Sequence, residues 1–333
     1  MTERQRIVVI SDSLRGLAPA AAALDACGHH VEYIDDLVDF REIVARGLAD
    51  LAAADAIVMG RVLRTDAEAL ALCRRAKVIA LHTSGSDNVD LAEATRRGIA
   101  VTTVKGVNAE QCAEFSIGLM LAVTRQILRG DRAIRAGRWA ADTQTSLDLY
   151  GATLSVLGLG MIMKAAVRRA VAFGMTILCH TRTPDVAFGE QYGVTYVDKD
   201  EALARADVVS LFASLTPDTH HMIGARELAL MQPHSYLINI ARGELIDEVA
   251  LHDALLHRRI AGAGLDVFET EPLTASPLFD LDNVIVTPHQ AGLAQSAKVN
   301  AAVRAVDNAL AALDGRLPPD AINPTAFTAG TLP

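Results

Sequence analysis

The strongest constraint in this chain is a rhythm. Short β-branched runs alternate with Ala-rich helical stretches from residue 6, and the alternation restarts at Ala152. This is the pattern of parallel sheets, whose crossovers are long and usually helical. In the first hundred residues it predicts strands at Ile7–Ile10, Val31–Ile34, Ala56–Met59, Val78–Leu81 and Ala100–Thr103, with helices such as Ala18–Ala26 and Asp66–Arg75 between them. After Ala152 it predicts seven strands: Thr153–Leu157, Met175–Cys179, Val194–Val197, Asp207–Phe212, Ser235–Ile240, Ala263–Val267 and Val284–Thr287. Between the two series, Asn108 and Gln111 have capping-box spacing, and a helical pattern runs on to about Arg135. Its apolar face is wide enough to read as a domain bridge or a subunit interface. A last helix spans Ala294 to about Leu313, stopped by Gly315 and the Pro318-Pro319 pair, and the tail to Pro333 reads as a loosely held strap.

Two α/β series in 333 residues predict two domains. With 51% hydrophobic residues, disorder is excluded as the general state. The net charge of −9 argues against a nucleic-acid or anionic-membrane partner, and 4% aromatics argue against base-stacking platforms. The longest apolar stretch, around Ile117–Val123, is far short of a membrane span. The start runs straight into a strand and is too short for a signal-peptide core. Cys27, Cys73, Cys112 and Cys179 are far apart, with no CxxC spacing and no His/Cys zinc set, so no metal is expected. Buried free thiols fit a reducing compartment, and the cytoplasm is the expected location.

The sharpest local motif is strand–turn–helix: Thr153–Leu157, then Gly158-Leu159-Gly160-Met161-Ile162-Met163, then a helix to Gly174. In a dinucleotide-binding turn the first Gly allows the tight bend and the second lets backbone approach the pyrophosphate. The helix start at Met161-Ile162 then offers unpaired N–H groups to phosphate. Met163 stands where a third Gly serves helix–strand packing. The next strand ends in Thr181-Arg182-Thr183 with no carboxylate, a composition that favours a 2′-phosphate and so NADP over NAD. The alternatives are an ordinary βα turn, and an Arg182 that is a solvated loop residue beside bound NAD.

Three later segments end successive strands: Ile240-Ala241-Arg242-Gly243, Asp266-Val267-Phe268-Glu269-Thr270-Glu271-Pro272 and Thr287-Pro288-His289. Ligands bind at the carboxyl ends of strands in open α/β sheets. There Arg242 offers a planar fork to an α-keto acid, His289 can exchange the alcohol proton, and Glu271 can hold the imidazole. Each residue alone is more often structural; together on one sheet they point to chemistry.

These segments, taken in order, resemble the D-isomer-specific 2-hydroxyacid dehydrogenases. The resemblance also includes Ser84-Gly85-Ser86-Asp87-Asn88-Val89-Asp90, Arg97-Gly98-Ile99, Val107-Asn108-Ala109-Glu110, Ala113-Glu114 and Gly137-Arg138-Trp139, and it covers nearly the whole chain. The spacing of 29 residues from Arg242 to Glu271 fits as well. It implies a Rossmann NAD(P)-binding domain at 107–292, inserted into a discontinuous flavodoxin-like substrate domain formed by 1–106 and 293–333. It implies reversible hydride transfer to a small 2-keto acid, with Arg242, Glu271 and His289 catalytic. Ser84 and Gly85 would grip the substrate carboxylate, and Asn108 would sit at the hinge. Ala213, Ser214, Thr219, Ile240 and Ala241 would line the cofactor slot, and Asp266 would meet the nicotinamide carboxamide. A homodimer through the helix starting at Asn108 is implied too.

The sequence departs from the family pattern at Met163, at Ser214 where Pro is usual, and at Gln290-Ala291-Gly292. The first two bear on cofactor affinity and the third on pocket shape. Glyoxylate or hydroxypyruvate is the expected substrate. Arg61 and Arg64 are candidates for a phosphate or second carboxylate, or else solvated loop charges. The alternatives are a phosphoglycerate dehydrogenase, an NAD(H)-sensing regulator of the co-repressor type, and a degenerate member that binds cofactor poorly. A phosphite dehydrogenase is disfavoured because Ser84 stands where that enzyme's motif carries a lysine.

Overall fold

The computed structural model describes residues 4–11, 13–35, 39–60, 63–139 and 146–327. The chain divides into two compact units, Met1–Asn108 with Ala294–Pro333, and Ala109–Leu293.

The first unit is a five-stranded parallel sheet of order β2-β1-β3-β4-β5, with β1 Arg6–Ile10, β2 His30–Ile34, β3 Ala56–Met59, β4 Val78–Leu81 and β5 Ala100–Thr102. Period-2 alternation sends its side chains into two separate cores. Val8, Ile10, Ile57, Met59, Ile79 and Leu81 pack with Phe40, Ile43 and Leu70. Ile7, Val9, Ala56, Val58, Val78 and Ala80 pack with Leu24 and with Ala302, Ala305 and Ala309 of helix Gln295–Leu313. Both faces of β1, β3 and β4 are thus dry, which is why these strands read as continuous apolar runs, while the edge strand β2 stays partly exposed.

The tail departs from the loose strap expected of it. Asn323 is buried, accepts from the Val101 backbone N–H at 2.7 Å and donates to the Ile99 carbonyl at 3.0 Å. Ala321 bridges Thr102 in the antiparallel sense, so the segment closes the exposed edge of β5. Residues 328–333 lie outside the described residues. So does Arg61, while Arg64 is an exposed side chain near Asp66.

The second unit is a seven-stranded parallel sheet of order β12-β11-β10-β9-β6-β7-β8. Its strands are β6 Thr153–Leu157, β7 Thr176–His180, β8 Val194–Tyr196, β9 Val208–Leu211, β10 Tyr236–Asn239, β11 Gly262–Leu265 and β12 Val284–Val286. The strand order reverses between β6 and β9, the switch point where doubly wound sheets bind ligands.

The long helix expected from Asn108 to Arg135 is two helices, Ala109–Thr124 and Ile127–Arg135, separated by Gln126 in the left-handed region at φ 54°. The first is a core helix. Its Ala113 meets Ala165 and Ala166 of helix Met161–Ala172, small residues that let the two helices approach closely. The second helix buries nothing within the unit, and Ile127 and Ile134 are more than half exposed.

Candidate active site

Gly158 follows β6 at φ +97°, a conformation suited to glycine. A Cβ there would lie 2.7 Å from the Ala213 backbone nitrogen, so the loops after β6 and β9 abut. Gly160 caps helix Met161–Ala172 and differs in kind: a Cβ there would meet nothing. Open space therefore stands directly before a helix N-terminus whose first N–H groups, those of Met161 and Ile162 included, lack intrahelical acceptors. Met163 is fully buried in the core shared by Val156, Val167 and Cys179. The larger side chain at this position is absorbed by packing and stays out of the phosphate-facing turn.

Past β7, Thr181 is half-buried, and Arg182 and Thr183 are exposed. Ser214 is exposed, and the Thr219 hydroxyl donates to its carbonyl at 2.7 Å, closing the loop after β9. A basic exposed side chain, an unobstructed helix N-terminus and a glycine-lined turn suit a dinucleotide phosphate.

The catalytic candidates come from the ends of β10, β11 and β12. Arg242 follows β10, and its Nη1 donates to the Ala241 carbonyl at 2.6 Å. Its loop is held by Asn239, a fully buried residue that donates to the Arg242 carbonyl at 2.8 Å and accepts from the Ala241 N–H at 3.0 Å. Ile240 is buried beside it. Gly243 is obligatory, because a Cβ would overlap the Phe268 carbonyl carbon at 1.8 Å. That approach sets the Arg242 loop against the segment leading to Glu271.

His289 and Glu271 are paired. The imidazole Nδ1 lies 2.7 Å from Glu271 Oε2 and 2.9 Å from Oε1. Glu271 Oε1 also accepts from the Phe268 N–H at 3.1 Å. A carboxylate on Nδ1 fixes the proton there and makes Nε2 the nitrogen that exchanges a proton with a ligand.

Asp266 organises the loop that carries His289. It is fully buried; Oδ1 accepts from the Thr287 hydroxyl at 2.6 Å and the Gln290 N–H at 3.0 Å, and Oδ2 from the Ala291 N–H at 2.8 Å. The Gln290-Ala291 departure thus enters the site through backbone N–H groups that any residue except proline supplies. Sequence reading did not single out Asn239 or this task for Asp266. The available signal was an acid or amide closing an apolar strand, since a buried polar group must find partners.

In the first unit, the Ser84 hydroxyl donates to Asn108 Oδ1 at 3.0 Å, and the Gly85 carbonyl accepts from the Thr83 hydroxyl at 3.0 Å. Cys73, Cys112 and Cys179 are buried, and burial pushes their thiols up to about 12, about 11 and about 12, which removes them as nucleophiles. Cys27 is only partly buried. Among the described residues no His/Cys/Asp/Glu group is placed to hold a metal ion, and no helix is long and apolar enough to cross a membrane.

Known proteins are similar to this chain in sequence and in fold. Residues 117–291 match the model of the D-isomer specific 2-hydroxyacid dehydrogenase NAD-binding domain. A glyoxylate reductase of Korarchaeum cryptofilum is 38% identical over 274 residues, covering 81% of this chain and 82% of that one. A D-3-phosphoglycerate dehydrogenase of Mycobacterium bovis is 36% identical over 319 residues, 95% of this chain but 58% of the relative. Among solved structures, an NADPH-dependent glyoxylate/hydroxypyruvate reductase from Sinorhizobium meliloti, in complex with NADP and malonate, superposes with a TM-score of 0.83 at 30% identity, covering 99% of this chain and 100% of that one.

Fold and site together define a two-unit α/β oxidoreductase that uses a nicotinamide cofactor. The chain belongs to the D-isomer specific 2-hydroxyacid dehydrogenase family, and its activity is that of a 2-keto acid reductase.

Proposed function

We propose that the chain reduces glyoxylate or hydroxypyruvate with NADPH, His289 acting as the acid. The carrying observation is the His289–Glu271 pair at 2.7 Å, on the same sheet as the Gly158–Gly160 turn. A bound nicotinamide supplies the hydride. Arg242 binds the keto acid through its guanidinium and polarises the C2 carbonyl. His289 delivers a proton from Nε2 to the carbonyl oxygen, and Glu271 stabilises the imidazolium before that transfer. In the reverse direction the neutral imidazole takes the hydroxyl proton. The Ser84–Gly85 backbone binds the substrate carboxylate, and Asn108, tied to Ser84, marks a hinge. Ala213, Ser214, Thr219, Ile240 and Ala241 line the cofactor, with Asp266 toward the carboxamide.

The preference for NADP rests on Arg182. It is exposed, it makes no ion pair with another described residue, and no carboxylate ends β7 to repel a 2′-phosphate. The cofactor-bound Sinorhizobium relative supports the same reading.

We also propose a cytoplasmic homodimer. Support for the dimer is helix Ile127–Arg135, whose Ile127 and Ile134 stay about half exposed among the described residues, and an adjoining groove of about 500 Å³ lined by Val123, Leu128, Leu147, Tyr236 and Ile285. That groove lies by the amino ends of β10 and β12, away from the catalytic candidates.

The test is a panel of small 2-keto acids assayed with NADPH and with NADH. Turnover greatest for glyoxylate or hydroxypyruvate with NADPH supports the reading. Preference for phosphohydroxypyruvate with NADH would replace it with a phosphoglycerate dehydrogenase.

A further inference from the structure

Glu271 sits on the turn Phe268–Glu271, and something must hold that turn if the carboxylate is to meet His289. Part of the hold is steric, through Gly243 against Phe268. The Glu271 carboxylate adds its own bond to the Phe268 N–H, and a further part comes from a group of side chains outside the reacting set.

Glu248 is the first residue of helix Glu248–Leu256. Its Oε1 accepts from the Glu269 backbone N–H at 2.6 Å. The Glu269 carboxylate in turn meets His221 Nε2 at 2.6 Å. His221 is itself fixed, with φ 51° and its N–H donated to the Glu244 carbonyl at 2.8 Å. Beyond it, Ile223 bridges Ile246 in the parallel sense. Three segments are thereby tied together: the one that follows Thr219, the one that follows Arg242, and the one that ends at Glu271.

We propose that Glu248 is a positioning residue for the Glu271–His289 pair, acting through its hydrogen bond to the Glu269 backbone N–H. The bond reaches the main chain two residues before Glu271, so losing it frees the turn without touching the reacting groups. Placement at catalytic distances is sensitive to sub-ångström shifts, so a second contact on the turn has leverage. Keeping a carboxylate here is unfavourable for the side chain itself. Burial, with the charges of Glu269, Glu244 and Glu271 added, pushes the Glu248 carboxyl above the usual carboxylate range. What the position needs is the acceptor oxygen, and a neutral amide provides one.

This inference rests on the reductase reading, and one of its two readouts does not depend on turnover. The full-length wild type is compared with Glu248→Gln, which keeps an acceptor, and Glu248→Ala, which removes it. Both lose the charge at the helix start, so their difference isolates the hydrogen bond. Long-range proton–nitrogen correlation spectra read the tautomer of the His289 ring, assigned by its absence in His289→Ala. The expected result is a single Nδ1–H tautomer in the wild type and Glu248→Gln, and a mixture in Glu248→Ala. In turnover, Glu248→Ala is expected to lose about tenfold in kcat with KM for the keto acid within about twofold, and Glu248→Gln to stay close to wild type. Glu248→Met, which is likewise uncharged and lacks the acceptor oxygen but keeps the length of the side chain, carries the same comparison if Glu248→Ala does not fold. A single Nδ1–H tautomer persisting in the variant that lacks the acceptor overturns the proposal, whatever its kcat. A wild type inactive on every keto acid overturns the reductase reading instead, and the spectra still decide the role of Glu248.

Discussion

His289 meets both oxygens of Glu271, at 2.7 and 2.9 Å, from a backbone in the left-handed region at φ 50°. Non-glycine residues seldom adopt that conformation, and where one does the surroundings must hold it. Here the His289 N–H donates to the Asp266 carbonyl at 2.8 Å and to the Thr287 carbonyl at 3.0 Å. Strained backbone and paired imidazole together aim one nitrogen and dedicate the other. Glu271→Gln keeps the shape and removes the charge that stabilises the imidazolium. Its kcat for keto-acid reduction should fall by about 10–100-fold, with little change in KM for the keto acid. Steady-state kinetics at saturating cofactor measure both, and a change confined to KM would move Glu271 from acid–base chemistry to substrate binding.

The two turn glycines should respond differently to one methyl group. Gly158→Ala has to accommodate φ +97° and a 2.7 Å contact with Ala213, so it should lower Tm. Gly160→Ala meets no protein atom, so Tm should stay close to wild type while the Kd for NADPH rises. Thermal melts and fluorescence titration separate these effects. An unchanged NADPH affinity in Gly160→Ala would show that the cofactor phosphates do not approach this turn.

Arg182→Ala tests cofactor choice. An exposed guanidinium matched to a 2′-phosphate contributes to NADPH and not to NADH. The KM for NADPH should rise about tenfold or more and that for NADH change little. Equal effects on the two cofactors would reduce Arg182 to a general surface charge.

Much of the architecture is visible in the residues because both sheets are covered on both faces, which turns the central strands into short apolar runs. β3, β4 and β6 begin and end at the residues that their β-branched runs mark. The histidine and the carboxylate were visible as well, since each follows a strand, in the loops after β12 and β11, beside a Pro. The break at Gln126 was not, because a single left-handed residue leaves no mark in hydrophobic spacing. Nor was the fastening of Asn323 on β5, which depends on contacts more than two hundred residues apart in sequence. The tasks of Asn239, Asp266 and Glu248 belong to the same class: hydrogen bonds to loop backbone that only folding brings within reach.

Asp266 should matter to stability as well as to activity. Replacing it by Ala leaves the Gln290 and Ala291 N–H groups without their acceptor and the Thr287 hydroxyl with only the longer bond to the Leu265 carbonyl at 3.3 Å. Each loss is worth on the order of 1–3 kcal/mol, partly relieved by relaxation, so urea unfolding should show a loss of roughly 2–4 kcal/mol. A variant as stable as wild type would mean that the 287–291 loop is held by something else.

Keto-acid reduction at this site depends on His289 as the group that moves the proton. Pre-steady-state oxidation of NADPH with glyoxylate or hydroxypyruvate, compared between wild type and His289→Ala, measures this directly. The expected result is a rate at least about 100-fold lower in the variant, with NADPH binding unchanged. A variant that reduces the keto acid at close to the wild-type rate would contradict the assignment.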